Sequence, residues 1–108
     1  MFKSSNNTSD IFPPSDWKTV LDKGGKLLVS VFPNPTEGDV SVVFTSVTTD
    51  DAHIVVRDLL GQIVLDRVLT AGASIYSLSL GSVENGTYIY QISMSGNAAS
   101  GKVIKINK

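Results

Sequence analysis

The chain has 108 residues and no cysteine, so it suits one domain of ordinary size and excludes disulfides and thiolate metal sites. Hydrophobic residues make up 42% of the sequence, which is typical of a globular domain rather than a disordered segment. The formal net charge of −1 gives no general indication of nucleic-acid binding, and no apolar run approaches the roughly 20 residues of a membrane helix.

The first 26 residues are predicted to be a linker or the tail of another domain. They are rich in Ser, Asn, Thr, Asp and Pro, which favour turns and loops. Residues 15–21 fit either a short helix with one apolar face or an extended segment with Trp17 on the domain surface. Gly24 and Gly25 are expected to form a flexible joint before the first convincing strand.

From residue 27 onward, apolar residues recur at every second position, the period of a β-strand. The alternating sets are Leu27, Val29 and Val31; Val40, Val42 and Phe44; Ile54 and Val56; Ile63 and Leu65; Tyr76, Leu78 and Leu80; Tyr88, Tyr90, Ile92 and Met94; and Ile104 and Ile106. Turn signals separate these short segments at regular spacing. The pattern predicts an all-β, immunoglobulin-like antiparallel sandwich of about seven strands. Seven of these residues are expected to be buried between its two sheets, namely Val42, Phe44, Val56, Leu78, Tyr88, Tyr90 and Ile92.

Catalytic and metal-binding patterns are weak in this sequence. His53 is the only histidine, which is too few nitrogen ligands for zinc, and no nucleophile is placed beside it. Glu37, Asp39, Asp50 and Asp51 would suit calcium only if their two loops met at one end of the sandwich; otherwise they are solvated loop residues. We therefore predict a protein that is not an enzyme and has no cofactor or metal.

Four segments of the chain, taken in order, resemble a known family. They are Phe32-Pro33-Asn34-Pro35 followed by Gly38; Val56-Arg57-Asp58-Leu59-Leu60-Gly61-Gln62-Ile63-Val64; Leu78-Ser79-Leu80 with Val83 and Gly86-Thr87-Tyr88; and Lys102-Val103-Ile104-Lys105-Ile106-Asn107-Lys108. This order is similar to that of the type A C-terminal sorting domain of the type IX secretion system of Bacteroidetes. The similarity covers about residues 27–108, which are expected to form the sorting domain.

The resemblance implies a domain that carries attached cargo from the periplasm across the outer membrane to the cell surface or the medium. A sortase-like protease at the cell surface then usually removes the domain. The implied partners are the outer-membrane translocon, its shuttle proteins, the processing protease and the upstream cargo domain. No nucleic-acid partner and no direct insertion into a membrane are expected.

Most residues that carry the resemblance are expected to support the scaffold. They are Pro33, Asn34, Pro35, Gly38, Asp58, Gly61, Gly86 and Tyr88. The prolines lock their own φ and restrict the residue before them, so they are predicted to fix the first connection between strands. Direct contact of these prolines with the translocon is the alternative.

The basic C-terminus is the candidate recognition element. Residues 1–84 carry six Lys or Arg and ten Asp or Glu, a formal charge of −4, whereas residues 85–108 carry three lysines and no acid. The candidate residues are Lys102, Ile104, Lys105, Ile106 and Lys108. The isoleucines are expected in the core, and the lysines either contact the translocon or form a solvated edge that discourages strand pairing.

Cleavage is expected in a mobile segment at Lys23, Gly24, Gly25 and Lys26, because proteases need an extended, locally unfolded backbone. The main alternative function is a carbohydrate-binding or adhesion module retained on a surface protein. That alternative requires exposed aromatic residues, whereas Tyr76, Tyr88 and Tyr90 share faces with Leu and Ile and are predicted to be in the core.

Overall fold

The computed structural model describes residues 17–23 and 25–106, and in these ranges it contains eight β-strands and no helix. The strands are β1 (Lys18–Asp22), β2 (Gly25–Phe32), β3 (Asp39–Phe44), β4 (Ala52–Arg57), β5 (Ile63–Leu69), β6 (Ile75–Ser79), β7 (Gly86–Met94) and β8 (Asn97–Lys105). No membrane-spanning helix is therefore found within the described ranges.

The strands form two four-stranded sheets that pack as a sandwich. The first sheet has the order β1-β2-β3-β6 and the second β5-β4-β7-β8, and every paired strand is antiparallel. Buried and exposed residues alternate along β3, β4 and β7, which places one face of each strand between the sheets. The predicted all-β antiparallel sandwich is confirmed.

The strand count is eight rather than about seven, because β1 adds a strand before residue 27. β1 pairs with β2, with Val20 opposite Leu27 and Asp22 opposite Gly25. The helical alternative for this segment is wrong, and the extended one holds. A short helix is marginal by itself, whereas a strand here gains backbone hydrogen bonds from β2 and buries Val20. The predicted boundary at residue 26 thus falls within β2.

The core follows the sequence pattern closely. Six of the seven residues expected between the sheets are buried, namely Val42, Phe44, Val56, Tyr88, Tyr90 and Ile92. The seventh, Leu78, is half-buried because β6 is an edge strand. Tyr76, on the same strand, is also half-buried, and its ring packs edge-on against Phe44 with centroids 5.9 Å apart.

The register of β8 differs from the prediction by one residue. Tyr88 is buried and pairs with Val103, so Val103 also faces the core. Lys105 follows on that inner face and is 2% exposed. Ile104 is therefore only half-buried and Ile106 is 44% exposed, so the expectation that both isoleucines lie in the core is wrong. A one-residue shift moves each side chain of a strand to the other face.

Candidate functional site

The segments that carry the resemblance come together at one end of the sandwich, which we call the proline end. It consists of residues 32–39, 58–62, 80–86 and 104–106. Antiparallel pairing places these connections and strand ends together, and contacts between the sheets join them. The Leu80 amide donates to the Gly38 carbonyl at 2.6 Å, and the Lys105 ammonium donates to the Val83 carbonyl at 3.0 Å.

Asn34 connects the first of these segments to the last strand. Its side-chain Nδ2 donates to the Lys102 carbonyl at 2.7 Å, and its Oδ1 accepts the Ile104 amide at 2.9 Å. The side-chain amide thus offers the same donor and acceptor as a peptide group of a neighbouring strand. Residues about 70 positions apart in the chain are joined in this way.

Thr36 continues the same pairing with its backbone. Its amide donates to the Ile104 carbonyl and its carbonyl accepts the Ile106 amide, both at 2.8 Å. Together they form a short parallel bridge opposite Lys105. With Asn34, this bridge gives the outer edge of β8 hydrogen-bond partners over residues 102–106, and so covers part of an edge that would otherwise be open to pairing.

The connection between β2 and β3, residues 33–38, contains two prolines and a glycine. Pro33 and Pro35 are exposed and have no N–H to satisfy, and the peptide bond before each is cis. Gly38 is buried, and a Cβ built on it would lie 3.5 Å from the Gly81 Cα. That distance is an ordinary van der Waals contact, so residues 36–39 lie against the β6–β7 loop at this position.

Thr36 was not identified from the sequence, although it organises the connection. It is buried, its Oγ1 accepts the Gly38 amide at 3.0 Å, and it donates to the Asp39 carbonyl at 2.7 Å. The available signal was a threonine between a proline and a turn glycine, since Thr hydroxyls commonly bond nearby backbone groups.

The β4–β5 turn, residues 58–62, is held by Asp58. One carboxylate oxygen accepts the Leu60 and Gln62 amides, both at 2.9 Å, and the backbone of Asp58 bonds Gln62 and Gly61. Gly61 has φ near +91°, a conformation that favours glycine. The turn is thus a fixed structure, and it holds two leucines in solvent.

The β6–β7 loop is held from two sides. The Tyr88 hydroxyl donates to the Glu84 carbonyl at 2.6 Å, and Lys105 holds the Val83 carbonyl. The Lys105 side chain runs along the core and brings only its ammonium to the loop. Lys105 is therefore a buried part of the scaffold, not an exposed lysine, whereas Lys102 is exposed as expected.

Two further residues that were predicted from the sequence are Gly86 and Lys108. Gly86 begins β7 opposite Lys105, with φ near +156°. Lys108 lies outside the described residues.

The opposite end, which we call the aspartate end, contains the predicted cleavage region. The Lys23 amide donates to Asp50 Oδ2 at 2.9 Å, the Lys23 ammonium lies 3.5 Å from Oδ1, and the Ser95 hydroxyl bonds the same carboxylate. The Ser95 hydrogen bond, supported by Lys23, holds the pKa of Asp50 below its usual value, although partial burial opposes this. Asp22 accepts the Thr49 amide at 2.9 Å.

The predicted cleavage residues lie on a paired hairpin. Lys23 is in the β1–β2 turn, Gly25 and Lys26 pair with Asp22 and Leu21, and Gly24 lies outside the described residues. The expectation of a mobile segment therefore differs from the structure. A short turn between two paired strands, bonded to Asp50, gives a protease little unfolded backbone.

The acidic loop residues do not converge. Glu37 and Asp39 are at the proline end and Asp50 and Asp51 at the aspartate end, separated by the six-residue strand β3. Within the described ranges, no three His, Cys, Asp or Glu side chains are grouped to hold a metal ion. His53 is exposed on the outer face and bonds a neighbouring carboxylate on β5.

Comparison with known protein families gives a match over most of the chain. Residues 30–107 match the model of a family described as the secretion system C-terminal sorting domain. The matched range begins within β2 and includes all of the proline end, whereas β1 precedes it. No curated protein matches the chain.

Proposed function

Because the chain belongs to the type IX secretion C-terminal sorting domain family, we propose that it carries an attached cargo protein across the outer membrane. The single observation that supports this role is the family match over residues 30–107. Members of the family are generally non-catalytic, and the family's role as a sorting signal implies export to the cell surface or secretion. We infer that this chain is itself a sorting signal and not an enzyme.

We propose that the translocon and its shuttle proteins bind the proline end. A folded sorting signal must present an ordered surface to its receptor. The surface of the proline end is ordered by hydrogen bonds from Asn34, Thr36, Asp58 and Lys105.

We further propose that a sortase-like protease cuts near Lys23, Gly24, Gly25 and Lys26 after β1 has separated from β2. Pairing over the whole of β1 must be lost before this backbone can enter a protease site. N-terminal sequencing of the released domain tests the site. A new terminus at residues 24–27 supports it, whereas a terminus before residue 18 would show that β1 stays with the sorting domain.

The test of the proposed function is a fusion of a signal peptide, a fluorescent protein and the full 108-residue chain. It is expressed in a type IX-competent host and in the same host without the translocon. We expect fluorescence on the surface or in the medium of the first host, and in the periplasm of the second. Retention in the periplasm of both hosts would contradict the proposal.

A further inference from the structure

The outer face of the second sheet carries an apolar surface next to the proline end. Strand register places Ile63, Arg57, Ile89 and Lys102 side by side across β5, β4, β7 and β8. Ile63 is 53% exposed and Ile89 is 41% exposed. Ile104, half-buried, lies in the next row opposite Thr87. Apolar residues of β5, β7 and β8 thus lie on this face next to the β4–β5 turn, with Arg57 of β4 between Ile63 and Ile89.

That turn adds the two most exposed large apolar side chains among the described residues. Leu59 is 70% exposed and Leu60 is 87% exposed. The carboxylate of Asp58 fixes the backbone of the turn, so the leucines are presented by an ordered structure. An exposed apolar patch commonly marks an interaction site, and ordering a loop in advance reduces the entropy lost on binding.

The charges within this surface are both positive. Arg57 and Lys102 lie on either side of Ile89 in the same row. Neither makes an ion pair with another residue in the described ranges. On the same face towards the aspartate end, by contrast, His53 is paired with Asp66. The surface beside Ile89 therefore offers two cations that can pair with acidic groups of another molecule.

We propose that this surface, the leucine patch (Leu59, Leu60, Ile63 and Ile89 with Arg57 and Lys102), docks a protein of the export machinery. The partner presents an apolar groove bordered by carboxylates. The proposal rests on the sorting function and names the surface that is read.

Two other occupants fit the leucine patch less well. A symmetric contact between two copies would bring four cations into one interface without a carboxylate from either patch. An anionic lipid surface is typically recruited by clusters of four to eight Lys or Arg, whereas this patch has two. A protein groove satisfies both the leucines and the cations.

The first test replaces the leucines in the fluorescent fusion. Leu59→Ser with Leu60→Ser is compared with Val47→Ser with Val68→Ser, which alters two similarly exposed residues away from the patch. We expect the parent and the control to be exported equally, and the leucine variant to be exported at least tenfold less with an unchanged melting temperature. Export of the leucine variant at the control's level would overturn the proposal.

Failure of the underlying function is distinguishable, because then the parent itself is not exported. Leu60→Asp alone provides a second variant if the double change lowers the melting temperature. It alters only the most exposed leucine, and we expect the same loss of export. Normal export of a folded Leu60→Asp variant would also overturn the proposal.

The second test reverses the charges. Arg57→Glu with Lys102→Glu is expected to reduce export at least tenfold, whereas Arg67→Glu with Asn97→Glu, at exposed positions outside the patch and the cleavage region, is expected to leave it unchanged. Equal export of the two variants would contradict the carboxylate border. Two further measurements test the other occupants. Sedimentation of the purified chain with phosphatidylglycerol vesicles measures lipid binding, and analytical ultracentrifugation measures self-association. Binding to vesicles or to itself that requires Leu59 and Leu60 would overturn a protein groove as the occupant.

Discussion

Replacing Asn34 by alanine tests how the proline connection is attached to the last strand. The change removes the two hydrogen bonds that the side-chain amide makes with the backbone of Lys102 and Ile104, at 2.7 and 2.9 Å. A hydrogen bond contributes about 0.5–1.5 kcal/mol net to stability. These two are solvent-accessible, so water replaces part of the loss. We expect Asn34→Ala to lower the free energy of unfolding by about 1–2 kcal/mol.

A loss of that size is measurable in a domain of this length. It corresponds to a fall in melting temperature of about 4–16 °C, at about 4–8 °C for each kcal/mol. Urea unfolding gives the free energy, and amide hydrogen exchange gives the location. The Ile104 amide should lose protection in Asn34→Ala, because its acceptor is the Asn34 side chain.

The matched control is Asn97→Ala, the same substitution at an exposed position at the other end of β8. We expect its stability to stay within about 0.5 kcal/mol of the parent's. The reasoning is refuted if Asn34→Ala is as stable as this control and the Ile104 amide keeps its protection.

Three further changes test other parts of the fold. The Ser95 hydrogen bond lowers the pKa of Asp50 in the folded state. The Asp50 carboxylate therefore stabilises the fold at pH values above its unfolded pKa of about 3.9. This contribution is lost as the pH falls through the lower pKa of the folded state. Between about pH 2 and 5, the melting temperature of Asp50→Asn should therefore fall less steeply with decreasing pH than that of the parent. An equal pH dependence of the two would contradict the role of Asp50. Gly101→Ala would place a Cβ 2.5 Å from the hydroxyl of buried Tyr90, so we expect urea unfolding to show a loss of about 1–3 kcal/mol, and parental stability would count against it. Lys105→Ala removes a charged hydrogen bond to a loop carbonyl and should cost about 1.5–3 kcal/mol in the same assay, whereas a neutral result would argue for an exposed side chain.

Alternation predicted most of the sandwich, because burial of one face forces a period of two. Tyr88, Tyr90 and Ile92 are buried as this rule requires. β1 was less predictable: its apolar residues fit a helix as well as a strand, and pairing with β2 decided between them. Local propensity cannot predict this choice, because the extended conformation is stabilised by pairing with β2.

The last strand shows a second limit of the sequence pattern. In residues 102–107, Val103 lies on one face and Ile104 on the other, so the apolar pattern fits either register. Pairing with Tyr88 selects Val103, and Lys105 follows it into the core. Replacing the terminal lysines together would thus combine loss of stability at Lys105 with loss of surface charge at Lys102. A test of charge alone should leave Lys105 unchanged.

The candidate site was only partly visible for a related reason. The sequence identified the proline connection and the terminal strand as separate segments of a family pattern. Their joining through Asn34 and Thr36 depends on contacts across about 70 residues, which no local pattern records. The exposed leucines of the β4–β5 turn were included in the pattern, but their exposure depends on where the turn lies relative to the core.

We propose that the export machinery contacts the domain at its proline end. Crosslinking during export can test this contact, with a photo-crosslinking amino acid placed at single exposed positions in the fluorescent fusion. The positions are Leu60 and Glu84 at the proline end, and Val47 and Asn97 towards the aspartate end. We predict translocon-dependent crosslinks to discrete proteins from the first pair and none from the second. Crosslinks from Val47 and Asn97, with none from Leu60 and Glu84, would contradict the account.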